Sequence, residues 1–160
     1  MTNYNHDMDR TLEDLRYFII SALDGMAAIL TDLSDDLANR SPDLPGANSP
    51  FVILTHCLGV VEFWAGHVVA GRESHRDRDS EFRAYGQIAD LVSRTEAAKV
   101  RFSKDLEGVD LKSQVVNVPR SFDSPHADLT NGGALFHVLG EVAQHHGQME
   151  ITRDMLNRGS

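Results

Sequence analysis

The sequence is poor in cysteine and in positive charge. The first shortage argues against a protein stabilised by disulfide bonds, and the second against one that binds nucleic acid or anionic membranes. The chain has one cysteine, Cys57, which cannot form an internal disulfide bond. Lysine and arginine number 15 against 24 aspartates and glutamates, which gives a formal net charge of −9. This charge argues against nucleic acid or an anionic membrane surface as the main partner. We expect a cytoplasmic protein, because the N-terminus also lacks a basic region followed by an apolar core.

The chain also has no uninterrupted apolar run of the length that a membrane span needs. Its most apolar stretch, residues 51–71, is interrupted by Thr55, His56, Glu62 and His67. This stretch is therefore interpreted as a buried helix rather than a transmembrane one. No repeat or low-complexity segment is present, and 160 residues fit a single domain over residues 1–160.

Apolar residues spaced three and four apart predict four long helices. We place these helices at residues 9–38, 50–71, 82–108 and from residue 131 to about 155. Asn48 or Ser49 is the candidate N-cap of the second helix, and Thr130 or Asn131 that of the fourth. Residues 71–80 read as a charged, solvated connection, and 109–129 as an irregular crossover with a short extended piece at 115–118. The fold predicted is an all-α four-helix bundle with a long crossover between helices three and four.

The last helix carries the first chemical signal, a glutamate and a histidine one turn apart. Glu141 and His145 are four residues apart, so their side chains project side by side. They form half of a divalent metal site, and a catalytic zinc site needs a third protein ligand. His56 is the best candidate for it, because it faces a largely apolar side of its helix. Zinc is the expected ion, and nickel or another transition metal is possible.

Other interpretations of these residues remain open at this stage. His56 could be a core histidine bonded to a backbone carbonyl, and the Glu141–His145 pair could be a solvated surface pair. His137 lies one turn before Glu141 and could support it by a hydrogen bond, replace it as a ligand, or be an exposed polar residue. His146 is interpreted as a packing residue or as a residue that supports a metal ligand, and Cys57 as a buried, inert thiol.

Two blocks of sequence carry a resemblance to a known superfamily. They are GANSPFVILTHCLGVVEFWAGHVVAGR and HVLGEVAQHHGQMEITRDML. Nearly the whole chain resembles the DinB-like superfamily of metal-dependent four-helix bundles. Within it, the chain is most similar to the branch with the mycothiol-dependent maleylpyruvate isomerase N-terminal domain and the mycothiol S-transferases. The superfamily's metal ligands fall on His56, Glu141 and His145. Many members have a histidine in place of Glu141, whereas the thiol-dependent branch commonly has glutamate.

The resemblance implies a metal-dependent enzyme that activates a low-molecular-weight thiol. That thiol would be mycothiol or a similar compound, and it would attack a small electrophile by S-transfer or thiol-assisted isomerisation. The resemblance also implies a homodimer. Residues 71–80 and the crossover, with Arg120 and His126, are candidates for the rim that selects the substrate. The alternative is a bundle that binds a metal or ligand without turnover, in a stress-associated or assembly role.

Overall fold

Helices make up most of the computed structural model, which describes residues 2–119 and 128–158 and, within them, the side chains from residue 10 onward. The four long helical stretches are α1 (Thr2–Thr31), α3 (Pro50–Val61) with a π-helical continuation (Glu62–Val69), α5 (Ile88–Asp105) and α6 (Asn131–Arg158). Two short helices, α2 (Asp35–Asn39) and α4 (Arg78–Glu81), lie in the connections. In the described part of the chain, the β-type pairing is one isolated bridge between Gln114 and Thr130. The predicted all-α bundle, with its long crossover between α5 and α6, is confirmed.

Side-chain caps fix where the two site-bearing helices begin. The Ser49 hydroxyl accepts a hydrogen bond from the Val52 amide at 3.2 Å, and Pro50 occupies the first turn of α3. The Thr130 hydroxyl accepts one from the Gly133 amide at 3.1 Å at the start of α6. Of the alternatives that the sequence leaves open, Ser49 and Thr130 are therefore the caps. These starting points set which residues of α3 and α6 face each other.

The core lies between α1, α3 with its π-helical continuation, α5 and α6, which pack against one another. The periodic apolar residues of α1 are all buried, and so are the central apolar positions of α6. They are Leu12, Leu15, Ile19, Leu23, Met26 and Leu30 on α1, and Leu135, Val138, Val142 and Met149 on α6. Almost every side chain of α3 is buried. A polar side chain on α3 that turns towards α6 is therefore enclosed by the bundle.

The helical stretch Pro50–Val69 is long and apolar enough to span a membrane by length and composition alone. Within its most apolar window, 78% of the residues are buried inside the bundle. This burial agrees with its interpretation as a core helix.

Three predicted helix boundaries are wrong, and one of them is the start of the first helix, which lies at Thr2 rather than Asp9. The first helix ends at Thr31 rather than Ala38, because the Ser34 hydroxyl caps a new short helix by accepting from the Leu37 amide. The third helix begins at Ile88 rather than Phe82. Its predicted first turn does not form, because the backbone of Gly86 is hydrogen-bonded to the Asn39 side chain instead. Asn39 accepts a hydrogen bond from the Gly86 amide and donates one to the Gly86 carbonyl.

The connection after the second helical stretch is more ordered than its charge predicts. Gly71 adopts a φ of 74° two residues after the end of the π-helical segment, a conformation that favours glycine at helix ends. Arg72 then pairs with Asp105 at 2.8 Å and with Glu62 at 2.7 Å. The connection predicted to be solvated is therefore held against α5 and the π-helical segment by the ion pairs of Arg72. In the crossover, residues 115–118 form no strand, and the Asn117 side chain instead donates to the His67 carbonyl.

Candidate metal centre

His56 is buried in the middle of α3, with 6% of its surface exposed. Its Nδ1 atom lies 2.8 Å from Oε2 of Glu81, at the end of α4. The partner is thus a carboxylate, and not the backbone carbonyl of the simpler interpretation. Burial lowers the pKa of His56, although the hydrogen bond to Glu81 opposes this effect. The imidazole is therefore held neutral, which is the form that binds metals.

Glu141 and His145 of α6 meet His56 across the helix interface. The Oε2 atom of Glu141 lies 3.8 Å from Nε2 of His145 and 3.9 Å from Nε2 of His56. The two imidazole rings lie 5.1 Å apart at 85°. One ligand atom from each residue lies within 4.8 Å of the other two. The structure thus brings together all three residues that the sequence predicts as ligands.

The three side chains differ in how far they are buried. Relative side-chain exposure is 7% for His56, 23% for His145 and 32% for Glu141. The cluster therefore has a closed side formed by α3 and an accessible side formed by α6. A catalytic metal site needs such an accessible side, because a fourth coordination position must be left for water or substrate.

The donor set and spacing fit a divalent transition metal. Two atoms that bind zinc at about 2.1 Å in tetrahedral geometry lie about 3.4 Å apart. The distances from Glu141 are only a few tenths of an ångström longer. Each histidine is also held at its other ring nitrogen, His56 by Glu81 and His145 by the Gln148 side chain at 2.8 Å. Such partners are typical of metal-binding histidines, because they leave Nε2 facing the ion.

The remaining candidates take other positions. The His137 ring lies against Trp64, with ring centroids 4.5 Å apart. The role of His137 as a supporting residue stays a prediction. The His146 ring packs over Gly25 of α1, as expected of a packing residue. Cys57 is fully buried, and this burial raises the pKa of its thiol. Arg120, His126 and the side chain of His6 lie outside the described residues.

Sequence reasoning missed two residues that line the centre, Glu81 and Phe82. The Phe82 ring lies 5.2 Å from the His56 ring, and the Arg78 guanidinium stacks on Phe82 at 5.1 Å. Glu81 follows a charged stretch with no helical periodicity, so local pattern gives no sign of its burial. The apolar spacing assigns Phe82 to the third helix, whereas the structure leaves it 38% exposed beside His56. The one available signal was Glu81 itself, a carboxylate next to an aromatic residue at the end of the stretch.

The fold and this centre define a helical-bundle protein with a candidate divalent metal site between two facing helices. The family model for mycothiol S-transferases matches residues 14–158, a range that contains all three candidate ligands, and the chain belongs to this family. A comparison with curated proteins gave no match.

Proposed function

We propose that the protein transfers a low-molecular-weight thiol, mycothiol, to a small electrophile at a divalent metal ion held by His56, Glu141 and His145. The observation that carries the proposal is the convergence of these three side chains in a chain of the mycothiol S-transferase family. Zinc is the ion that we expect, with nickel as the alternative. When bound, the ion supplies positive charge that stabilises a thiolate at neutral pH.

The charges of the three ligands support this role. His56 and His145 bind as neutral imidazoles, and Glu141 contributes one negative charge. A divalent site built from them stays positive by one charge, so it attracts an anionic sulfur. The more exposed position of Glu141 and His145 leaves the approach of the thiol on the α6 side.

The chain itself has no cysteine that could replace the cosubstrate thiol. Cys57 is fully enclosed, and its raised pKa favours the unreactive protonated form. In the proposed reaction the cosubstrate S–H proton goes to solvent and a bond forms between sulfur and the electrophilic carbon. A leaving group departs with its electron pair, or, in an addition, the neighbouring carbon takes up a proton.

The test is conjugation of mycothiol to monochlorobimane by protein loaded with zinc. We expect a rate above the uncatalysed reaction, which is lost with a chelator or in His56→Ala and returns when zinc is added back to wild-type protein. Bacillithiol and glutathione are the comparison thiols, with several electrophiles. If the loaded protein accelerates none of these reactions, the bundle binds metal or ligand without turnover, and the enzymatic proposal is wrong.

We further propose a homodimer, on the analogy of the resembled proteins. Sedimentation velocity at micromolar concentration tests this, and a monomer alone would contradict it. The cytoplasmic location, and the absence of nucleic acid or membrane partners, stay predictions from composition.

A further inference from the structure

A buried carboxylate stands behind the candidate metal centre. Glu81 is the last residue of α4, and only 8% of its side chain is exposed. Its Oε2 atom accepts from Nδ1 of His56 at 2.8 Å. Arg76 donates to both carboxylate oxygens, from Nε at 2.6 Å and from the Nη2 group at 2.9 Å. The cost of burying this negative charge is thus offset by two partners with good geometry.

A glycine on α3 makes room for this carboxylate. Gly59 is one helical turn after His56, so both lie on the same face of α3. A Cβ atom at Gly59 would lie 2.0 Å from Oε1 and 2.7 Å from Cδ of Glu81. Real carbon atoms do not approach so closely, so any larger residue would displace Glu81 from the helix surface. The position of Glu81 beside His56 therefore depends on the missing side chain of Gly59.

This arrangement determines which ring nitrogen of His56 faces α6. A carboxylate at Nδ1 favours the tautomer with the proton on Nδ1. The lone pair is then on Nε2, the atom that lies 3.9 Å from Glu141. Arg76 donates to both oxygens of this carboxylate, so a cation compensates its burial. The ring is thus fixed in orientation by groups that lie outside the ligand triad.

We propose that Glu81 is a positioning residue of the metal centre, held in place by Arg76 and by the space above Gly59, and that it presents Nε2 of His56 to the ion. The proposal rests on the proposed function in assuming that His56 is a ligand. Its structural half, the fixed tautomer of His56, can be tested without any metal.

The first test uses the metal-free protein with ¹⁵N-labelled histidine. We expect the NMR spectrum of His56 to show the proton on Nδ1 in the wild type and in Asp79→Asn. Asp79 is the matched control, because it is an exposed acidic residue of the same short helix. In Glu81→Ala the preference for this tautomer should be lost. A proton on Nε2 in the wild type, or the wild-type spectrum in folded Glu81→Ala, would overturn the proposal.

The second test measures zinc affinity by competition with a chromophoric chelator, and the visible spectrum of bound Co²⁺. We expect Glu81→Gln to bind zinc about 10- to 100-fold more weakly and to change the Co²⁺ spectrum, whereas Asp79→Asn does neither. Gly59→Ala should weaken zinc binding in the same way. Its matched control is Gly140→Ala, because a Cβ atom at Gly140 meets no atom within 4 Å.

Thermal unfolding of each metal-free variant separates positioning from folding. If Glu81→Ala does not fold, Glu81→Gln and Gly59→Ala carry the test. Wild-type zinc affinity in both folded variants would refute the positioning role. If the wild-type protein itself binds neither zinc nor Co²⁺ at the triad, the proposed function fails, and the tautomer measurement still decides whether Glu81 orients His56.

Discussion

The Nε2 atom of His56 lies 3.9 Å from Oε2 of Glu141, although about half of the chain separates the two residues. The same oxygen is 3.8 Å from Nε2 of His145. The pairing of α3 with α6 thus creates the centre, and each predicted ligand can be tested separately.

Removal of the ligands should remove the metal. We expect His56→Ala, and the double variant Glu141→Ala with His145→Ala, to contain little zinc after purification, since two or fewer protein ligands rarely hold the ion. Metal analysis of the purified proteins gives the result, with His75→Ala as an exposed control histidine. Full metal content in the double variant would exclude the triad.

The role of His137 can be separated from its packing. His137→Ala should lower zinc affinity by about 10- to 100-fold if the imidazole supports Glu141. His137→Phe keeps a ring against Trp64 but has no nitrogen. The supporting role requires that both variants lose affinity, whereas wild-type affinity in His137→Phe would show that the ring only packs. Chelator competition measures both.

Cys57 should be protected in the native protein. Since its side chain is fully buried, we expect a disulfide reagent such as DTNB to react only as fast as the protein opens, and quickly in urea. Ser93→Cys, which adds a thiol on the exposed side of α5, should react at once in the native state. Rapid reaction of native wild-type protein would contradict the burial.

The ion pair between Glu62 and Arg72 predicts how the free energy of unfolding changes with pH. The hydrogen bond from Arg72 lowers the pKa of Glu62, so the pair contributes to stability above the usual glutamate pKa and loses this contribution as the pH falls through the lowered value. Glu62→Gln should therefore lower the free energy of unfolding by about 0.5 to 1 kcal/mol at pH 7, a partly exposed pair being worth no more.

Urea unfolding of wild type and Glu62→Gln between pH 7 and pH 3.5 tests this dependence. The difference in the free energy of unfolding between wild type and Glu62→Gln should be constant above about pH 5.5 and shrink below about pH 4.5. The exposed Glu150→Gln is the control. A difference that grows as the pH falls would mean that the sign is wrong.

Because Gly25 contacts His146, we expect a glycine-to-alanine substitution at residue 25 to lower stability, the reverse of its usual effect in a helix. Alanine normally stabilises a helix interior by about 1 kcal/mol over glycine. A Cβ atom at Gly25 would lie 2.4 Å from the His146 ring, so Gly25→Ala should instead destabilise the protein. In a His146→Ala background the same change should become stabilising. Thermal unfolding of the four proteins measures the coupling, and additive effects would argue against the contact.

The parts of the centre that the sequence reveals are those encoded by local spacing. Glu141 and His145 are four residues apart on a helix with a clear apolar stripe, and His56 lies in a helix that is apolar almost all round. Glu81 has no such context. Its burial arises from the room above Gly59 and from the charge of Arg76, and both partners are distant or unpatterned in the sequence.

The same distinction explains the errors in the helix boundaries. Leu33 continues the apolar period of α1 and is buried, yet the helix has already ended at Thr31. Periodicity reports which side chains face the core, and α2 continues to pack there after the break. Tyr85 has the right spacing for the third helix but is 83% exposed, because the Asn39 contact with Gly86 fixes the preceding backbone outside the helix.

The distance in sequence between His56 and the α6 pair has a consequence for the unfolded chain. A protein with one cysteine cannot lower the conformational entropy of its unfolded chain with an internal disulfide bond. An ion bound by both α3 and α6 would act as a reversible cross-link across roughly half of the chain. The closure of so long a loop would lower the conformational entropy of the unfolded chain and so stabilise the fold. Such a link would open with acid or a chelator rather than with a reductant.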